Sequence, residues 1–167
     1  MKIKASIMLS SANLNVTDTL RLFKSARLKV SFLVPTATGL EKSIMDATAE
    51  IREFMLLNGL HDYSKQGQGQ EHKVLLNTTL LSQGRVEYTQ TSLYRPSTKS
   101  GDPRIWIAGL KQFSSPYDLL AILASPNGIV AINCSQSELS SLLDPSGMYY
   151  KEILAPAVVT ESEPAKE

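Results

Sequence analysis

The chain has 167 residues, of which 43% are apolar and 20% charged, and its formal net charge is +1. These values suit one globular domain with enough length to bury a core. No apolar run approaches the roughly 18 residues of a membrane span, which excludes a helical membrane protein.

The small net charge hides an asymmetry. Residues 1–115 carry a balance of +6 and residues 116–167 one of −5. The basic part is compatible with an anionic partner.

Lys2–Ser10 alternates Ile3, Ala5, Ile7 and Leu9 and is predicted to be a first strand rather than a signal peptide, because Asn13, Asn15 and Asp18 follow closely. Thr17–Arg27 predicts a short helix with Leu20, Phe23 and Leu28 facing inward, and Leu28–Pro35 a second strand. Thr38-Gly-Leu-Glu41 has the form of a capping box. Behind it Leu40, Ile44, Ala47, Ile51, Phe54 and Met55 recur at helical spacing, so one long helix is predicted over 38–58, stopped by Gly59.

Residues 61–73 contain no aliphatic side chain and read as a polar, glycine-bearing loop. Lys73–Leu81 and Arg85–Tyr94, rich in Thr and Tyr, predict two strands joined through Ser82-Gln-Gly84. A second polar loop, Arg95–Arg104, precedes a short strand at Arg104–Ala108, where Trp106 alternates with Ile105 and Ile107 as a core residue would. Ser125-Pro-Asn-Gly128 predicts a hairpin turn between Leu119–Ala124 and Ile129–Cys134. Ser135-Gln-Ser-Glu138 looks like a second capping box, opening a helix to about Leu143 that Asp144-Pro145 ends. Met148–Leu154 adds a helical turn, and residues 156–167 read as a disordered acidic tail. The fold class expected is therefore α/β (α+β), a single domain over 1–155 with a mixed or mainly antiparallel sheet packed by one long helix.

Cys134 is alone, so no internal disulfide can form, and its strand-like surroundings predict a buried, inert thiol. A cytoplasmic location is expected. His61 and His72 have no familiar zinc spacing, and no nucleophile elbow, P-loop or dinucleotide fingerprint occurs.

The chemistry suggested by the polar loops is phosphodiester chemistry. Magnesium takes oxygen ligands and keeps several waters, so Asp62 and Glu71 suffice in principle as its carboxylates. If residues 71–73 were strand, Glu71 and Lys73 would share a face, and Lys73 would orient a water or stabilise developing charge. Glu41 is a possible third acid, though a helix-cap role explains it better. Gln66 and Gln68 are able to read base edges, and Arg95, Lys99 and Arg104 form a set suited to phosphate or guanine. Pro96 and Pro103 stiffen that second loop. A plain solvated loop accounts for the same residues.

The segments Thr38–Ile44, His61–Tyr63, Gln68–Lys73 and Ser92–Trp106 together resemble the N-terminal region of type II restriction endonucleases of the MvaI/BcnI family. The resemblance covers about residues 36–134. It implies a magnesium-dependent DNA nuclease in which a helix Glu, an Asp and a Glu-x-Lys follow in order, as Glu41, Asp62, Glu71 and Lys73 do. It also implies an alternative, because longer members of the group place the nuclease domain after this region. In that case the domain is a DNA-recognition or effector-binding arm without hydrolysis, working as a homodimer or with a partner nuclease subunit. A third alternative is a non-enzymatic interaction or inhibitor protein using the acidic C-terminal part.

Overall fold

The computed structural model describes residues 15–98 and 100–158. The expected strand at Lys2–Ser10, Lys99 and the tail from 159 onward lie outside the described residues.

Among the described residues the fold is a mixed α+β domain built on one seven-stranded sheet. Its strands are β1 (Ser31–Leu33), β2 (Met45–Asp46), β3 (Val74–Ser82), β4 (Arg85–Tyr94), β5 (Arg104–Ile107), β6 (Leu120–Ser125) and β7 (Gly128–Asn133). The order across the sheet is β1-β6-β7-β3-β4-β5-β2, with β3 and β7 parallel and every other pair antiparallel. Both hairpins stand where Gly84 and Pro126-Asn127-Gly128 predicted them. The sheet curls, so that its two outermost strands, β1 and β2, line one groove of about 950 Å³. No helix of the described residues is long and apolar enough to cross a membrane.

Strand periodicity sorts the apolar side chains onto two faces. Leu80, Leu120, Ile122, Ile129 and Ala131 join one core cluster, with Ile51, Phe54 and Met55. Their neighbours Leu81, Ala121, Leu123, Val130 and Ile132 join the other, with Phe23, Leu142 and Leu154. Strand β7 is buried at every position because layers cover both of its faces. Gly128 is required there: a Cβ would stand 1.9 Å from the Asn77 carbonyl oxygen on β3.

Helix α1 (Val16–Ser25) is capped by Asn15, which accepts from Asp18 N–H. The long helix expected over 38–58 is instead two helices, α2 (Ala37–Lys42) and α3 (Ala49–Leu57). Ser43 takes a left-handed conformation at φ 58°, and the chain then runs extended through β2 to pair Met45 with Ile105 and Asp46 with Arg104. The caps are Thr36 and Thr48, not Thr38, and Ile44 leaves the apolar stripe to stand 46% exposed. Gly59 does end the helical region: at φ 69° it lets Leu60 N–H reach back to the Met55 carbonyl.

Helix α4 (Leu110–Phe113) follows β5. The second capping box is also displaced. Asn133 caps a short 3-10 turn at Cys134–Gln136, and Glu138 itself caps α5 (Leu139–Leu142), accepting from Ser141 N–H. The chain continues to contribute beyond 155, through a 3-10 turn at Ala155–Ala157 and a bridge between Val158 and Leu28.

Candidate nucleic-acid interface

The two polar loops of the sequence are neighbours in space and are laced together. Arg95 Nε donates to the Gly101 carbonyl (2.8 Å) and its Nη1 to the Gln66 carbonyl (2.9 Å). Gly69 N–H donates to the Arg95 carbonyl (2.8 Å), and Gln68 Nε2 to the Pro96 carbonyl (3.1 Å). The Tyr63 hydroxyl donates to the Arg104 carbonyl (2.9 Å). Residues 61–73, 95–98 and 100–104 thus form one rim where β4 ends and β5 begins. Gly69 (φ 111°) and Gly101 (φ 70°) supply backbone conformations that other residues rarely adopt.

Gln66 is the hub of this rim. It is only 8% exposed, and its amide nitrogen donates to the carbonyls of His72 (2.8 Å) and Leu93 (2.9 Å). Its amide oxygen meets His61 Nε2 at 3.0 Å. The expected base-reading role of Gln66 does not fit this geometry, because every part of its amide is engaged inside the fold. Gln68 remains exposed, although its Nε2 already has a partner.

The expected hydrolytic trio takes up three separate local roles. Asp62 caps a 3-10 turn at Tyr63–Lys65, accepting from Ser64 N–H (3.0 Å) and Ser64 Oγ (2.6 Å). The Ser64 hydroxyl is the main reason its carboxyl titrates below the ordinary aspartate range. Glu71 lies in a second 3-10 turn, Gln70–His72, 3.8 Å from His72 Nε2. Lys73 follows that turn and places Nζ 5.9 Å from the centre of the Tyr94 ring. Strand β3 begins only at Val74, so the shared strand face expected for Glu71 and Lys73 is not present. Glu41 is exposed on α2.

Among the described residues no group of three or more His, Cys, Asp and Glu side chains is placed to hold a metal ion. Asp62 Oδ1 accepts both bonds from Ser64 and Glu71 lies in a separate 3-10 turn, so the two carboxylates expected to hold magnesium stand in different local settings.

The basic loop is more coherent. Among the described residues, the Arg95 guanidinium donates to two backbone carbonyls and pairs with no acid, out of the five N–H groups that it carries. Arg104 pairs with Asp46 on β2, and Asp102 accepts from Ser100 Oγ (2.7 Å). Burial pushes the Tyr94 phenol upward, with Arg104 acting in the opposite sense. The Asp46–Arg104 pair had no local signal in the sequence, because it joins residues 58 apart.

Cys134 is buried, and desolvation pushes its thiol up to about 12, so it is no nucleophile. No family model, curated protein or solved structure matches the chain.

Proposed function

We propose that this domain is a DNA-binding module that grips phosphate with its laced rim and carries out no hydrolysis of its own. The observation that carries this reading is the anchoring of Arg95. A guanidinium held by two loop carbonyls is oriented before any ligand arrives, and among the described residues neither of its partners is an acid. Across residues 61–73 and 94–104, five Lys and Arg stand against three Asp and Glu. The resemblance to the N-terminal arm of MvaI/BcnI-family enzymes supports the same partner, with cleavage supplied by a partner nuclease subunit in the cytoplasm.

Fluorescence anisotropy with a 20-bp duplex tests this. If Lys73, Arg95 and one further rim cation each neutralise a phosphate, raising salt from 50 to 200 mM weakens binding about 40-fold. Arg95→Ala is expected to lower the salt slope by about one. Affinity that ignores salt would refute phosphate contact. A plasmid-nicking assay with magnesium separates binding from cleavage. Nicking by wild type that disappears in Glu71→Ala and Lys73→Ala would restore the hydrolytic reading.

A further inference from the structure

Among the described residues, one half of the sheet has a face that is largely uncovered, flanked at its Tyr88 end by the C-terminal turns. Cross-strand partners share a face, and the register puts Asn77 beside Gln90, Ser92 beside Trp106, and Tyr94 beside Arg104. Alternation along β4 adds Tyr88 to the same side. Over the other half, α1 and the C-terminal turns bury Leu81, Ala121, Leu123 and Val130. Over this half, Tyr88 stands 78% exposed and Leu75 52% exposed.

We infer that this open face is a stacking platform for single-stranded DNA. The inference deepens the DNA reading above and rests on it. Rings on an open sheet offer π-faces to unpaired bases, whereas paired bases inside a duplex have no face to present. Tyr88 and Tyr94 lie six residues apart, about 20 Å along β4, with Trp106 opposite the position between them. Amides at Asn77 and Gln90 lie among these rings.

The charges are arranged for a phosphate backbone leaving at the rim. Lys73 sits over the Tyr94 ring, and Arg95 follows directly. On β3 and β4 this face has no Asp or Glu. Of the acids around it, Asp46 is paired with Arg104, Glu87 is paired with Arg85, Glu71 stands beside His72 at the rim, and Glu152 lines the groove of about 430 Å³ that flanks Tyr88.

Trp106 is the sole tryptophan; it is half-buried and packs in part against the core, so its emission reports on the edge of this face. The experiment titrates the full chain with a 20-mer of dT and with a 20-bp duplex, following Trp106 emission and anisotropy. The 20-mer is expected to quench Trp106 and to bind at least tenfold more tightly than the duplex. Tyr88→Ala is expected to weaken the 20-mer about tenfold while leaving duplex binding unchanged, and Tyr88→Phe, which keeps the ring, to bind as wild type. Duplex binding with no preference for the 20-mer, or a Tyr88→Ala variant that binds the 20-mer normally, would overturn the platform while sparing the rim. An oligo-rU that outcompetes dT would overturn the DNA assignment. Binding of neither polymer would remove both the platform and the reading beneath it.

Discussion

Replacing Gln66 by Ala tests whether the rim is a single locked unit. The substitution removes two donated hydrogen bonds, to the carbonyls of His72 and Leu93, and the acceptor that His61 meets. A net protein hydrogen bond contributes about 1 kcal/mol, and a buried carbonyl left without a donor costs about 1–3 kcal/mol. The Leu93 contact is fully buried, while the His72 contact is partly open to water, so the two together should cost about 2–4 kcal/mol. For a domain of this size that is a fall in melting temperature on the order of 10 °C. Gln66→Glu sharpens the test. An ionised carboxylate facing two carbonyl oxygens is disfavoured, so its pKa in the folded state is raised. The protonated acid has one O–H and can donate to only one of the two carbonyls, so the variant should already be less stable than wild type at about pH 4 and lose further stability as pH rises toward 7. Thermal melts by circular dichroism at both pH values measure this. A Gln66→Ala variant that melts within a degree of wild type would refute the claim that this amide holds the loops together.

Three further outcomes are expected. Gly128→Ala places a methyl group into the Asn77 carbonyl at 1.9 Å, where backbone must move, so urea unfolding should show a loss of at least about 3 kcal/mol; a wild-type midpoint would contradict the β3–β7 register. Cys134 should react with a thiol reagent at pH 8 only after denaturation, and prompt labelling of the native protein would contradict its burial. The carboxyls of Asp62, Glu138 and Asp144 titrate below their ordinary values, chiefly because nearby Ser hydroxyls or N–H groups donate to them. Their contribution to stability is therefore present above the usual carboxylate pKa and lost as pH falls through the depressed values. Melting temperature should decline below about pH 4, less steeply in Asp144→Asn, and a flat acid profile would count against these caps.

Elements whose signal is local were readable from the sequence. The alternation and turn residues of Val74–Tyr94 and of Leu120–Asn133 specify both hairpins, because register and turn lie within one short stretch. The solitary thiol and the Gly59 stop are local in the same sense. The broken helix was not legible. A helical apolar stripe from Leu40 to Met55 is compatible with the two shorter helices, and what interrupts it is pairing of Met45 and Asp46 with a strand nearly 60 residues away. Gln66 was misread for a related reason. In a polar loop it looks solvent-facing, yet its partner at Leu93 is supplied only by the tertiary fold. The Glu-x-Lys pattern implied one shared face only if residues 71–73 were extended, and a 3-10 turn takes that stretch instead. The open face was present in the alternation of Tyr88, Gln90, Ser92 and Tyr94, but sequence alone does not say which half of a sheet its neighbours leave uncovered.

The most direct measurement of the central claim is a backbone amide NMR titration of the full chain with the 20-bp duplex at low salt. The account predicts shift changes concentrated in residues 61–73 and 94–104, reversed by added salt. Changes centred instead on the groove between β1 and β2, or no changes at all, would contradict it.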